Sequence, residues 1–270
     1  MDMSQLTEAL SKTPVSAIRA YDTIGSTNDE ALAWADDGAA DFSLVISDEQ
    51  TKGRGRFDRR WVTRPGSSLA FSLILKPSPS EIQHLSLFAP LCGLAIHDAI
   101  QTLFNIEPQI KWPNDILIKR QKCCGILVEA AWTNDSPNAV VLGIGINITR
   151  DSVPPADGQL FSAACLEDFV QTPVNRLKVL EQVLSDIQKW RGQLASPLFF
   201  EHWTKHLAFI DEQVMIVQSE KQSIIGVEKG IDPKGNLILQ LENNLEKAFE
   251  VGDVHLRPLM DSTESGGKHA

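Results

Sequence analysis

Residues 82–103 constrain the fold most. Leu85, Phe88, Cys92, Ala95, Ala99 and Leu103 recur there at helical spacing, marking an apolar helix face that has to be covered. Straight after it come IKW, DILI, GILVEAAW and AVVLGIGINI, four short strand-like runs with tight connections, one of them at Asn114-Asp115. Upstream, 14–21 (PVSAIRAY), 43–47 (SLVIS) and 67–75 (SSLAFSLIL) read as strands. After a turn at Gly25, Thr27 and Glu30 have the spacing of a capping box at the start of a short helix. Downstream of a polar Pro/Gly loop at 151–162, two more helical stretches cover about 174–191 and 197–208. Near Asp211 the composition changes. QVMIVQ, QSIIGVEKGI, NLILQL and KAFEV are short strands joined by turns such as Asp232-Pro233-Lys234-Gly235, the pattern of a small β-barrel. The expected division is 1–210, 211–260 and a disordered tail at 261–270.

With 270 residues, 43% hydrophobic and 22% charged, the chain can bury a substantial core and is not disordered throughout. No apolar run is expected to span a membrane, and the start MDMSQLTEALSK lacks the basic-then-apolar pattern of a signal peptide. The expected location is the cytoplasm. Cys92, Cys123, Cys124 and Cys165 form neither a CxxC pattern nor a disulfide framework and read as buried thiols. His202 and His206 in EHWTKH lack the HExxH order of a zinc site. A net charge of −10 disfavours nonspecific nucleic-acid binding and makes any local positive cluster informative.

That cluster is KGRGRFDRR at 52–60, in which five of nine residues are cationic. Gly53 and Gly55 let a backbone approach a ligand closely. Arg54, Arg56 and Arg59 can grip carboxylate or phosphate oxygens. On composition alone a solvated basic loop explains the run equally well. Ordering it costs roughly 1–2 kcal/mol per residue, and a charge-assisted hydrogen bond returns about 1.5–3 kcal/mol. Part of the loop is therefore expected to be mobile until an anion binds. In IKWPNDILI, Lys111, Asn114 and Asp115 fall at a strand end, where they suit phosphate or Mg²⁺ or simply make a β-turn. Lys122 enters a strand beside Gly125, placed for an anionic ligand or for solvent. GIGIN at 143–147 lacks the third glycine of a dinucleotide fingerprint; Gly143 and Gly145 leave room for a ligand or for close strand packing. Ser26 and Thr27 suit a polar ligand or a helix cap.

Taken in order, GSTND at 25–29, QTKGRGRFDRRW at 50–61, IKWPNDILI at 110–118, KCCGILVEA at 122–130 and VLGIGINI at 141–148 resemble the catalytic core of biotin–protein ligases. GIDPKGNLIL at 230–239 and HLR at 255–257 resemble the family's small C-terminal domain. The resemblance implies an α/β (α+β) fold: a central mixed sheet of the class II aminoacyl-tRNA synthetase and biotin ligase type, then a Src-homology-3-like barrel. It assigns biotin to Ser26, Thr27, Asn28, Gln50, Gly53, Arg54, Lys122, Gly125, Gly143 and Gly145. ATP and the adenylate fall to Arg54, Arg56, Arg59, Trp61, Lys111, Asn114 and Asn147, with Phe161 over the adenine. Lys122, Arg54 and Arg56 are the catalytic cations.

The implied reaction joins biotin to AMP at the expense of ATP, with Mg²⁺ on the phosphate oxygens. The biotinyl group then passes to a lysine of the biotin carboxyl carrier protein of acetyl-CoA carboxylase. Neither nucleic acid nor membrane is an expected partner. About twenty residues precede GSTND, too few for the DNA-binding helix-turn-helix of some family members. Pairing of two copies through a sheet edge is a further expectation. Cys123 and Cys124 replace the usual small or apolar residues, and Asp58 places a carboxylate in the basic loop. The alternatives are a lipoate-type protein ligase of related fold and, from another class, a nucleic-acid-binding regulator using the basic loop.

Overall fold

Residues 2–57, 59–154, 162–219, 222–251 and 255–258 are described by the structure, a computed structural model. A helix absent from the sequence reading, α1 (Met3–Ala9), starts the chain. Its N-cap Asp2 accepts from the amides of Ser4 and Gln5, which explains why so short a segment is helical. Then come β1 (Ala17–Ile24), α2 (Thr27–Asp36), β2 (Ser43–Gln50), β3 (Ser68–Leu75), α3 (Pro79–Ile82) and α4 (Phe88–Phe104). A run of four strands follows: β4 (Gln109–Lys111), β5 (Asp115–Ile118), β6 (Gln121–Thr133) and β7 (Ser136–Asn147). Helices α5 (Arg176–Arg191) and α6 (Pro197–Lys205) complete the first unit, which spans Met1–Ala208.

Seven strands form one sheet in the order β1-β2-β3-β7-β6-β5-β4. β1 and β2 pair in parallel and the other neighbours are antiparallel, so the sheet is mixed, as the resemblance implied. The tight connections read from the sequence are antiparallel hairpins. On one face lies α2, whose Ala31, Ala35 and Ala39 pack on Val45, Ile74, Ala131, Ala139 and Val141. Alternation along β3 sends Leu69, Phe71 and Leu73 to the opposite face, where α4 and α5 pack.

The N-cap of α2 is Ser26, not Thr27: the Ser26 hydroxyl accepts from the Asp29 amide. Glu30 is therefore no capping-box partner; its carboxylate takes bonds from Arg19 and Tyr21 instead. Leu85–Phe104 is long and apolar enough to cross a membrane by length and composition, contrary to the sequence expectation, yet two-thirds of that window is buried inside the chain. A core helix of a large sheet meets the same test. α5 docks on α4 through buried Val179, Leu180, Val183 and Leu184, and Trp190 donates to the Asp98 carboxylate at 3.0 Å.

The second unit, Phe209–Ala270, holds a five-stranded antiparallel sheet of the small Src-homology-3-like kind. Its strands are β8 (Gln213–Ser219), β9 (Gln222–Ile231), β10 (Leu237–Gln240), β11 (Glu246–Phe249) and β12 (His255–Pro258), in the order β11-β10-β9-β8-β12. Its Asp232–Asn236 turn is built by one side chain: Asp232 accepts from the amides of Lys234 and Asn236, while Gly235 takes a φ of +86°.

Candidate active site

Register places the smallest residues side by side. Asp115, Gly125, Gly145, Ala70 and Ser47 are successive partners across β5, β6, β7, β3 and β2, on the face that carries α2. The neighbouring row runs Leu127, Gly143, Ser72 and Val45. The sheet thus has a trough floored by main chain. The Trp61 indole lies on it. A Cβ built on Gly145 would collide with the indole Cε2, and one on Gly125 would stand 2.9 Å from its Cζ3. At Gly143 the space is taken by the Asn28 amide. Any side chain at these three positions would evict what rests there.

At one end of the trough the first turn of α2 meets β2, β3 and β6. Thr27 donates from its amide and its hydroxyl to Gln50 Oε1, at 2.8 and 3.1 Å. Ser72 Oγ stands 2.8 Å from Thr27 Oγ1 and within hydrogen-bond reach of Asn28 Oδ1. Asn28 donates to Glu129 Oε2 at 2.8 Å. Ser26, Thr27 and Asn28 are all buried, and such polar groups persist inside a protein only when bonded.

The basic segment folds back as a small hairpin. Gly55 donates to the Arg59 carbonyl and Trp61 to the Gly53 carbonyl, with Arg54 opposite Arg60. A Cβ on Gly53 would run into the Trp61 carbonyl oxygen, so glycine is required there. Arg54 reaches both Asp29 and Glu129 at 2.7 Å. Burial pulls its pKa down, but Glu129 and Asp29 outweigh this and hold it above the ordinary value. Arg56 donates to Asn114 Oδ1 at 3.3 Å. Buried Trp61 Nε1 has no hydrogen-bond partner among the described residues.

Cations gather at the other end. Lys122 Nζ lies 2.6 Å and Lys111 Nζ 3.1 Å from the two oxygens of Asp115. Burial opposes the Asp115 charge, yet Lys122 and Lys111 keep its carboxyl well below the usual carboxylate range. Burial pulls Lys111 below its ordinary value, against Asp115, and positive Lys122 and Arg59 add to that pull. Lys122 also joins the backbone of 162–164, accepting from Ala164 and donating to Ser162. Asn114 Nδ2 holds the Ile126 carbonyl, and Asn147 Nδ2 holds the Ala164 carbonyl, so both side chains brace the site's framework. Among the described residues, no group of three or more His, Cys, Asp or Glu side chains is placed to hold a metal ion. Asp29, Glu129 and Asp115 are each engaged by Arg or Lys. The four cysteines are buried and form no disulfide, and burial pushes their thiols up, Cys165 to about 11.

Residues 22–147 match the Biotin/lipoate A/B protein ligase family, and 209–257 match the Biotin protein ligase C terminal domain. The biotin–[acetyl-CoA-carboxylase] ligase of Paracoccus denitrificans is 31% identical over 224 residues, covering 80% of this chain and 90% of that one. The bifunctional ligase/repressor BirA of Bacillus spizizenii is 30% identical over 239 residues, covering 87% and 72%. The chain belongs to the biotin protein ligase family. The fold agrees: the Aquifex aeolicus biotin protein ligase in complex with biotin and ATP superposes with a TM-score of 0.78 at 25% identity, covering 90% of this chain and all of that one.

Ser26, Thr27, Asn28, Gln50, Gly53, Arg54, Trp61, Lys111, Asn114, Lys122, Gly125, Gly143 and Gly145 come together on this trough or in its walls. Phe161, expected over the adenine, and Asp58 lie outside the described residues. The sequence reading missed three side chains, Ser72, Asp29 and Glu129, and gave a fourth, Asp115, a different role. Ser72 is flagged by the small–large alternation of SLAFSLIL. Asp29 and Glu129 stand inside quoted motifs, but only the fold shows them meeting Arg54. Asp115, read as an oxygen for phosphate or Mg²⁺, is the counter-charge of two lysines.

Proposed function

We propose that this chain activates biotin with ATP, giving biotinyl-5′-adenylate and pyrophosphate, and transfers the biotinyl group to a lysine of a biotin carboxyl carrier protein. The observation that carries the reading is the main-chain floor of Gly125, Gly143 and Gly145, with bonded Thr27 and Gln50 at one end and Lys111, Lys122 and Asp115 at the other. A flat bicyclic ring fits this main-chain floor in place of the Trp61 indole, which swings aside on binding. Its polar edge meets Thr27 and Gln50, and its carboxylate points to the lysines. Relatives named as biotin–[acetyl-CoA-carboxylase] ligases, and the match to the biotin ligase C-terminal domain, favour biotin over lipoate.

In the first step a biotin carboxylate oxygen attacks the α-phosphorus and pyrophosphate leaves. Two anions must approach each other, so cations fixed beforehand lower the barrier. Lys122, partly exposed over the trough, is placed to bridge the carboxylate and the α-phosphate, while Arg54 and Arg56 come from the hairpin above. Arg59 and Lys111 add positive potential on the nucleotide side, and the Trp61 indole offers a face for a base. Asp115 lies between both lysines and aims them. Bound Mg²⁺ would shield triphosphate oxygens; at the trough Asp29, Glu129 and Asp115 are committed to Lys and Arg, so such an ion fits as a passenger of the nucleotide. In the second step the carrier's neutral lysine amine attacks the acyl carbon, AMP leaves, and an amide remains.

Incubation with labelled biotin, ATP, Mg²⁺ and an unmodified carrier domain tests this. Label on the carrier with equimolar AMP is expected. Labelling by lipoate and not biotin, or no ATP consumption with biotin, overturns it.

A further inference from the structure

The basic hairpin can act only if its two limbs enter the trough at a fixed angle, and the stem shows what sets that angle. Asp48, near the end of β2, accepts at one oxygen from Arg176 Nη1 at 2.6 Å and from the Gly66 amide at 3.2 Å. Arg176 Nη1 also donates to the Ser68 carbonyl at 3.1 Å. Asp48 precedes the hairpin; Gly66 and Ser68 follow it. One ion pair therefore closes the base of the loop, and Arg176 is the first residue of α5, a helix locked into the core by Val179, Leu180 and Val183. Two residues beyond Asp48 stands Gln50, bonded to Thr27 at the floor and, through its amide, to Thr63 of the returning limb.

We infer that Asp48 and Arg176 are positioning residues: they bolt the stem of the cationic hairpin to the core, so that Arg54, Arg56 and Trp61 come down on the trough in one geometry. The inference rests on the proposed adenylation reading for its kinetic consequence but not for its structural one. Misplacement of a catalytic group by about 1 Å costs on the order of 100-fold in rate. The pair bonds to Gly66 and Ser68 at the stem and reaches the trough through Gln50, two residues along β2. Arg176 and Asp48 are each partly exposed, at 27% and 20% for their side chains, so losing the pair loosens the stem without opening the core.

The test compares wild type with Arg176→Ala, Arg176→Lys and Asp48→Asn. First, trypsin cleavage at Lys52–Arg60 is followed by mass spectrometry in the ligand-free chain. Arg176→Ala and Asp48→Asn should speed it about five- to tenfold without changing cleavage elsewhere. Second, the variants should lower kcat for adenylate formation about tenfold or more while the urea midpoint of the first unit stays within error. Arg176→Lys, which keeps the charge but not the planar guanidinium whose Nη1 serves both Asp48 and the Ser68 carbonyl, should recover part of the rate. Loop cleavage equal to wild type overturns the inference. So does a loss of activity that merely follows a loss of stability. If wild type itself forms no adenylate, the functional reading fails, and the cleavage arm still decides whether the stem is clamped.

Discussion

Replacing Asp115 with asparagine removes the carboxylate that both lysines share, and the structure says which one suffers. Lys122 is partly exposed and can turn to water; Lys111 is 9% exposed and cannot. Its escape at pH 7 is to lose its proton. From an ordinary value of 10.5, reaching a neutral amine at pH 7 costs about 5 kcal/mol at about 1.4 kcal/mol per pH unit. This caps the loss, and the 3–5 kcal/mol typical of a broken buried pair falls under the cap. The sign of the pH dependence follows. In the variant the folded chain lacks a proton that the unfolded chain holds, so its stability rises with pH, by up to about 1.4 kcal/mol per unit between pH 7 and 8.5. In the wild type Asp115 opposes that loss of the Lys111 proton, so the slope near pH 7 is smaller. Urea unfolding of both proteins at pH 7, 7.75 and 8.5, followed by circular dichroism, should show a deficit of about 3–5 kcal/mol at pH 7 that shrinks as pH rises. A deficit below about 1 kcal/mol, or one independent of pH, would refute the reasoning.

Three further outcomes are expected. Lys122→Ala should lower adenylate formation about 100- to 1000-fold, the scale set by one preorganised charge donor, and, because Lys111 still pairs with Asp115, lower the urea midpoint less than Asp115→Asn does; wild-type turnover would remove Lys122 from the chemistry. Gly145→Ala pushes a methyl group into the Trp61 indole, so it should cost about 1–3 kcal/mol alone and much less in a Trp61→Ala background; an additive double-mutant cycle would show that the ring does not rest there. His206, stacked on His97 at 3.8 Å, is lowered to about 4, by burial first and then by His97, Lys205 and His202, with Asp98 pulling the other way. Its unfolded form takes up a proton below about 6.5, so stability should fall as pH drops from about 6.5 towards 4, by about 1–2 kcal/mol once its exposure is allowed for. His206→Gln should flatten that limb, and an unchanged pH profile would exclude the residue as its source.

Much of this architecture was legible because period and register are local. The 3.6-residue spacing of α4 and the tight links among β4, β5, β6 and β7 needed only neighbouring residues to be read. The glycines at 125, 143 and 145 were noticed one motif at a time. What no single motif reveals is that two of them are cross-strand partners with Ala70 beside them, because pairing joins residues 20 and 75 positions apart. Charge was harder. The basic run stands out by composition, whereas its partners, Asp29 and Glu129, are ordinary carboxylates in an acidic chain, identified only by distance. The α2 cap slipped by one residue because Ser26 and Thr27 are both good caps, and only the bond from the Asp29 amide decides between them. The Asp48–Arg176 pair spans 128 residues and has no sequence signature at all.

A cavity wall made of peptide planes has an unusual mutational future. Every codon change at Gly125, Gly143 or Gly145 adds atoms, so substitution can fill this recess and never deepen it. Variants that accept bulkier vitamin analogues must arise in what rests on the floor, through Trp61 or Asn28, and the floor is a limit that selection can approach from one direction only.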